Sequence, residues 1–322
     1  MKILITGGGG FLGFKLAKAL LARGNLGGKP ITSLTLLDGA FPATTAKEPR
    51  LKAVTGDISD AKTLAQVCPS DTDAVFHLAA VVSGAAEADF DLGMRVNLKG
   101  MELLLETMRR CARPPRLVYT SSVAAFGGEL PAVLDDSTIA NPQTSYGAQK
   151  VIGEYLVTDY SRKGYLDGRS LRLPTIVVRA GKPNAAASSF ASGIIREPLN
   201  GVVSECPVVP ETGVWLLSPR RVVDAFIHAW ELPAEAWGSQ RWLNLPGITA
   251  TVAQMIEALR RVAGDAVARR VVYKADARIQ AIVKTWPVNF RTPRALAMGF
   301  KPDADVDSII RDYIADEGIK PK

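Results

Sequence analysis

Tyr146 and Lys150 stand four positions apart at the start of a segment, Tyr146–Arg162, that reads as one long helix. A single turn therefore puts phenol and ammonium on the same face. Ser122 closes the hydroxyl-rich strand end Tyr119-Thr120-Ser121-Ser122. A free tyrosine has a pKa of about 10, and lowering it by about three units takes about 4 kcal/mol of preference for the phenolate. A lysine ammonium near 4 Å, at an effective dielectric near 20, provides about that much. The trio therefore suits removal of a proton from a secondary alcohol. Tyr146 would be the general base, Lys150 would tune it, and Ser122 would donate to the substrate oxygen and steady the developing alkoxide. Y-x-x-x-K also arises by chance as an aromatic and a solvated lysine. Its weight depends on whether a hydride acceptor has a place in the same chain.

That place is near residue 7. The strand-like Lys2–Thr6 runs into Gly7-Gly8-Gly9-Gly10-Phe11-Leu12-Gly13, and a helical pattern, Phe11–Arg23, follows at once. Gly7 lets the chain turn sharply off the strand, Gly10 lets backbone approach a pyrophosphate, and Gly13 lets the helix pack on the strand. The helix start at Phe11 and Leu12 offers N–H groups and a positive dipole to phosphates. In this strand–turn–helix context the glycines indicate a dinucleotide site. Asp38 ends the second strand, where a carboxylate accepts both ribose hydroxyls of adenosine and repels a 2′-phosphate. No Arg or Lys lies within five residues of it, so NAD is expected rather than NADP. Asp38 could also simply begin a turn before Gly39. Asp57, followed by Ile58, ends the third strand and either reaches the adenine or caps the helix over 61–67. With the cofactor present, Lys150 would hold its ribose as well as tune Tyr146.

The elements that must position these groups alternate. Lys2–Thr6, Ser33–Leu37, Leu51–Thr55, Ala74–Leu78 and Leu117–Ser121 read as strands, and Ser170–Arg179 as a sixth. Phe11–Arg23, Ala61–Val67, Asp91–Arg109 and Tyr146–Arg162 read as helices. Alternation implies βαβ units, hence an α/β fold with a doubly wound parallel sheet of Rossmann type. Past Arg179 the segments shorten and prolines become frequent. The expected division is an NAD-binding domain over 1–179, carrying Ser122, Tyr146 and Lys150, and a smaller C-terminal substrate-binding domain over 180–322. The boundary is soft, and later segments are free to return to the sheet.

Composition narrows the classes further. Hydrophobic residues make up 47% and charged residues 22%, which suits a packed core rather than disorder. His77 and His228 are the only histidines, so neither a His-centred triad nor a metal site is expected. Cys68, Cys111 and Cys206 are widely spaced, in no metal or redox pattern, and fit reduced thiols of a cytoplasmic protein. No apolar run has the length of a membrane span, and the first strand starts right behind Lys2, so neither membrane insertion nor a leader is expected. The net charge of +7 is scattered, with no basic run longer than a pair. Nucleic acid is not expected as a partner, which leaves a solvated basic surface or a small acidic substrate.

These residues resemble those of the extended short-chain dehydrogenases/reductases over nearly the whole chain. The resemblance rests on TGGGGFLG at 6–13, Asp38, GDISD at 56–60, HLAA at 77–80, Asn97 in VNLKG, TSSVAAFGG at 120–128 and SYGAQK at 145–150. It implies that Leu78, Ala79 and Ala80 pass beside the pyrophosphate and ribose, and that Asn97 shapes its helix and a proton-relay water. It also implies that backbone at Pro174-Thr175-Ile176 meets the nicotinamide carboxamide. Two departures lower a nucleotide-sugar reading. The R-D-[FWY]-[VI]-H-V-x-D stretch of sugar-nucleotide epimerases and dehydratases is replaced by TGVWLLSPRRVVDAF, and Val123-Ala124-Ala125 stands where dehydratases carry an acidic pair. The stretches 77–97, 171–201 and 215–221 are similar to a branch that oxidises the C2 hydroxyl of a four-carbon sugar acid with NAD. That resemblance implies a small acidic carbohydrate substrate, with Arg179 and Lys182 either holding its carboxylate or serving as surface charges. Ser83 is a further candidate for a substrate hydroxyl. A nucleotide-sugar epimerase is the alternative. A non-catalytic NAD sensor would not need Ser122, Tyr146 and Lys150 together. A homodimer is compatible with this reading.

Overall fold

Short β-branched and aliphatic runs pair into a seven-stranded sheet in the computed structural model, which describes residues 1–42, 48–181 and 187–320. Its strands are β1 (Lys2–Thr6), β2 (Ser33–Asp38), β3 (Leu51–Thr55), β4 (Ala74–His77), β5 (Arg116–Ser122), β6 (Asp167–Leu173) and β7 (Trp242–Asn244), in the order β7-β6-β5-β4-β1-β2-β3. β1 runs parallel to both β2 and β4, β2 to β3, and β4 to β5. Parallel neighbours need crossovers, which bury both sheet faces. Accordingly Leu4, Ile5, Val75, Phe76, Leu117 and Val118 have no exposed surface. The strand order reverses between β1 and β4, and the crevice at such a switch point is where open α/β sheets bind ligands.

The chain forms two compact units. The first comprises Met1–Ala125, Pro142–Arg172 and Val223–Leu243, and the second Phe126–Asn141, Leu173–Val222 and Asn244–Lys322. Sequence texture places a soft boundary at Arg179; the contacts place the change at Arg172 and bring Val223–Leu243 back to the first unit. The second unit holds a three-stranded sheet of Thr175–Ile176, Gly213–Leu217 and Ile248–Thr251, and a parallel pair, Ser204–Cys206 with Val271–Tyr273.

Helices α1 (Phe11–Arg23) and α2 (Ala61–Val67) have the bounds expected. α1 stops at Gly24, which takes the left-handed conformation at φ 71. The segment expected as one helix over Asp91–Arg109 is three: an α-helical turn at Phe90–Gly93, a π-helical stretch at Met94–Lys99, and α3 (Gly100–Arg109). The widened stretch carries Asn97, whose side chain is drawn to neighbouring backbone, a cause that hydrophobic periodicity does not register. The sixth strand also ends early, at Leu173 rather than Arg179, because Pro174 has no N–H to give the ladder. Thr175 and Ile176 pair instead with Leu216 and Leu217. Cys68 and Cys111, distant in sequence, come together in the first unit, where Cys111 Sγ lies 3.8 Å from the carbonyl oxygen of Pro69 and each thiol shifts the titration of the other.

Helix α4 (Ser145–Arg162) buries an unusual face for an amphipathic helix: Gln149, Lys150 and Glu154 lie there with Gly147, Gly153 and Val157. Buried charge is expensive unless paired, so this face requires partners from neighbouring elements.

Candidate active site

β5 ends at Ser122, whose Oγ accepts the Ala124 N–H at 3.1 Å and lies on the side of the Tyr146 phenol, where it acts to lower the phenol's pKa. α4 brings that phenol into place. Thr144 Oγ1 accepts the Gly147 N–H at 3.1 Å, and the Glu87 carboxylate accepts the Ser145 N–H at 3.0 Å. Gly147 presses against the turn after Ser122: a Cβ there would lie 2.2 Å from the Ala124 carbonyl oxygen. The helix start is thus fastened against the strand end, with Tyr146 in its first turn.

One turn on, Lys150 is 2% exposed and donates from Nζ to the Thr120 carbonyl at 2.8 Å. Its Nζ lies 5.5 Å from the centre of the Tyr146 ring and 4.9 Å from that of Tyr119. Burial pulls the Lys150 pKa down to about 7, against the raising influence of Glu154. The same burial pushes Tyr146 up to about 12, and Ser122 only partly opposes it. This corrects the expectation that Lys150 lowers Tyr146 by about three units. Loss of water acts on both partners and outweighs their attraction, so between these two values the pair holds one proton.

The dinucleotide end is assembled from β1, β2 and β4. Gly7 has φ +73, and a Cβ there would lie 2.7 Å from both the Leu78 carbonyl carbon and the Ala79 nitrogen. Only glycine lets the turn touch the end of β4, where Leu78, Ala79 and Ala80 are partly exposed. A Cβ on Gly13 would fall 2.1 Å from the Gly7 carbonyl oxygen, whereas one on Gly10 would meet only that oxygen, at 3.1 Å. Gly10 is exposed and precedes α1 without a side-chain cap, so the N–H groups of the first turn, at Phe11 and Leu12, face a cradle that a side chain would fill. Asp38 accepts the Gly9 N–H at 3.0 Å through Oδ2 and the Ala40 N–H at 3.4 Å through Oδ1. It starts a turn and retains lone pairs for ribose hydroxyls. These residues fit a dinucleotide with an unphosphorylated ribose.

Other sequence candidates are placed differently. The cap of α2 is Asp60, which accepts from the Lys62 and Thr63 N–H groups, so the capping alternative for Asp57 is corrected. Asp57 instead accepts from the Ser59 N–H at 2.8 Å and Oγ at 2.7 Å and pairs with Arg95. Ile58 turns its side chain into the core against Gly100, which leaves only its backbone for a ligand. Asn97 is 4% exposed; its Nδ2 donates to the Val81 carbonyl at 3.0 Å and to Gln149 Oε1 at 2.7 Å, and its Oδ1 accepts the Val81 N–H at 2.7 Å. It holds the loop after Ala80. Ser83 opens a short helix, Ser83–Ala88, and is partly exposed.

Pro174, Ile176 and Arg179 belong to the second unit. Pro174 directly follows β6, and Ile176 pairs with Leu217. The Arg179 N–H donates to Ser192 Oγ at 3.0 Å, and its carbonyl accepts from Arg196 at 2.8 Å. Its Nε is buried without an acceptor among the described residues, and burial, aided by the Arg196 charge, lowers its pKa. Lys182 lies outside the described residues.

Two buried groups near Lys150 received no role from the sequence. His77 binds Thr6 Oγ1 through Nδ1 at 2.6 Å and stacks on Tyr119; burial, with the Lys150 charge, pulls its pKa to about 3 and keeps it neutral. Glu154 is 1% exposed and is bound by Arg172 and Ser121. Its place four residues beyond Lys150 on one helix was the legible signal.

Known proteins resemble the chain along its length. It is 59% identical to D-erythronate dehydrogenase of Cupriavidus necator, with 99% of each chain covered. It is 45% identical to D-erythronate dehydrogenase of Haemophilus influenzae, over 98% of this chain and 99% of that one. Among solved structures, a nucleoside-diphosphate-sugar epimerase from Agrobacterium tumefaciens superposes with a TM-score of 0.94 at 41% identity, covering 100% of this chain and 96% of that one. The model of the NAD dependent epimerase/dehydratase family matches residues 3–227, the span that holds the glycine turn, Asp38, Ser122, Tyr146 and Lys150. On this full-length likeness the chain belongs to the NAD dependent epimerase/dehydratase family, in keeping with its resemblance to the extended short-chain dehydrogenases/reductases.

Proposed function

We propose that this oxidoreductase oxidises the C2 hydroxyl of a small sugar acid, D-erythronate to 2-dehydro-D-erythronate, with NAD. The observation that carries the reading is the placement of Tyr146 beside Ser122 at the end of β5, with Lys150 buried one helical turn away and donating to the Thr120 carbonyl. The relatives named D-erythronate dehydrogenase supply the substrate. NAD, when bound, accepts the hydride. Ser122 holds the alcohol oxygen, Tyr146 takes its proton as the phenolate, and the Lys150 ammonium balances the phenolate's charge before that transfer. Gly7, Gly10, Phe11 and Leu12 hold the pyrophosphate, with Leu78, Ala79 and Ala80 beside it and Asn97 fixing that loop. Asp38 holds the adenosine ribose and Lys150 the other one. Asp57 and the Ile58 backbone serve the adenine, and backbone at Pro174 and Ile176 serves the nicotinamide carboxamide. Arg179 receives the substrate carboxylate, supported by its buried Nε that lacks an acceptor among the described residues. Lys182 and Ser83 are further substrate contacts. No helix among the described residues is long and apolar enough to cross a membrane, and a cytoplasmic site of action fits this chemistry. Phe90, Ile152 and Tyr155 are exposed by 58%, 42% and 67%, which suits a homodimer formed through this side of the first unit.

The test is a panel of aldonic acids with NAD and then NADP, read by absorbance of the reduced nicotinamide. Four-carbon acids should turn over, and the neutral polyols erythritol and threitol should be poor substrates. Arg179→Gln should raise KM for the acid by about ten-fold or more, as loss of one charged hydrogen bond predicts. Equal rates with acid and polyol would remove the carboxylate site. NAD should be strongly preferred, and Asp38→Ala should narrow the gap between the two cofactors. Equal kcat/KM for NAD and NADP in the wild type would refute the role given to Asp38.

The likeness to a nucleoside-diphosphate-sugar epimerase favours one other reading. An enzyme of that kind would keep NAD through purification and release no NADH.

A further inference from the structure

The buried carboxylate of Glu154 lies beneath the proposed catalytic trio, and the proton chemistry assigned above does not use it. Tyr146, Lys150 and Glu154 repeat at intervals of four on α4, so the three share one face. Gly153 leaves room for Tyr119 beside them: a Cβ there would lie 2.5 Å from the Tyr119 hydroxyl oxygen. Both Glu154 oxygens are held. Arg172 donates from Nε to Oε1 at 2.8 Å and from an Nη to Oε2 at 2.6 Å, and Ser121, the residue before Ser122, donates to Oε1. The Glu154 and Arg172 side chains are 2% and 3% exposed. Buried ion pairs seldom add net stability over apolar packing, so this one calls for another explanation than folding alone.

Among the described residues, few charges face Lys150. From its own helix there are Tyr146 and Glu154. From β5 there are the Thr120 carbonyl and the Tyr119 ring, from β4 the neutral His77, and from β6 Arg172 behind Glu154. Glu154 is the one negative charge among them, and it acts to keep Lys150 protonated against burial.

We infer that Glu154 is a positioning residue for Lys150: clamped by Arg172 and Ser121, its carboxylate keeps a positive charge on an ammonium that has almost no water around it. The inference rests on the proposed role of Lys150, but the charge coupling can be measured without substrate. Two unit charges about one helical turn apart, at an effective dielectric near 20, shift each other's titration by about one to two pH units.

The experiment is a ¹³C NMR titration of the full-length protein labelled at lysine Cε, with the Lys150 signal assigned by its loss in Lys150→Met. In the wild type the midpoint should lie near 7. Glu154→Gln keeps shape and removes charge, and should move the midpoint down by at least about one pH unit, a ten-fold weaker hold on the proton. Arg172→Gln removes the cation paired with Glu154, so its carboxylate acts more strongly on Lys150 and should move the midpoint up. General structural damage would not give opposite signs. The acid limb of kcat/KM for D-erythronate should follow the same displacements. An unmoved midpoint in either folded variant overturns the inference. A wild type that titrates as expected yet forms no NADH from any sugar acid would sink the proposed function and leave the coupling in place.

Discussion

Replacing Tyr146 by Phe should leave NAD binding within about two-fold of wild type and lower turnover by at least the roughly 10²–10⁴-fold typical of losing a general base. The ring and its packing stay, and the glycine turn and Asp38 are untouched. The lost hydroxyl is the one on which Ser122 acts. In the wild type, kcat/KM should rise with pH through about 7, where the Tyr146–Lys150 pair gives up its first proton; the one proton that remains can sit on Lys150, which frees the Tyr146 oxygen to accept another from the alcohol. Tyr146→Phe should lose that rise. Lys150→Met should also lose turnover and weaken NAD binding, and its residual activity should climb toward alkaline pH as the unassisted phenol begins to ionise. A Tyr146→Phe enzyme that binds NAD and turns over at near wild-type rate would disprove the mechanism.

The second large effect separates two glycines that a motif treats alike. Gly13→Ala places a methyl 2.1 Å from the Gly7 carbonyl oxygen and 2.9 Å from backbone carbons of Gly7 and Gly8. Backbone in a tight turn cannot yield that far, so the helix must back away from β1. Overpacking of this kind costs about 3 kcal/mol, which lowers Tm by roughly 6–12 °C in a chain of this size. Gly10→Ala behaves otherwise. Its φ of −72 suits alanine, and its methyl would meet one oxygen at 3.1 Å. Tm should fall by about 2–4 °C, since exchanging glycine for alanine at an N-cap costs about 1 kcal/mol. NAD affinity should nevertheless drop about ten-fold or more, because the methyl enters the proposed pyrophosphate cradle. Thermal melts beside NAD titrations distinguish the two. Gly10→Ala binding NAD normally would show that the cradle is not where the cofactor lies.

The sheet and both ends of the proposed site were readable because each has a local signature. Alternating apolar runs marked β1 to β5, and a strand–glycine–helix succession marked the turn at Gly7. Four-residue spacing placed Tyr146 beside Lys150. What the sequence hid depends on contacts between distant segments. The π-helical stretch at Met94–Lys99 forms where Asn97 reaches Val81 and Gln149, so a periodicity scan saw one helix. Cys68 and Cys111 meet only after α2 and α3 pack. The pKa inversion of Tyr146 and Lys150 needed burial, which a spacing argument does not contain. Glu154 was visible as a helix position but not as a charge, because its partners, Ser121 and Arg172, arrive from β5 and β6.

The return of Val223–Leu243 to the first unit has a consequence for the chain as it leaves the ribosome. β6 is complete at Leu173, but its outer neighbour β7 begins at Trp242. At roughly 5–20 residues per second, translation takes on the order of 4–14 s to cover that gap. Throughout it β6 is an open edge, the kind of strand that recruits other chains. Asp167, already faced by Arg116 and Arg169, meanwhile waits for Arg241, and both of those arginines wait for the Trp230 carbonyl. A nascent chain stalled between residues 173 and 242 would therefore present a nearly finished parallel sheet with one unprotected side. Aggregation during overproduction should begin there and not at the glycine turn.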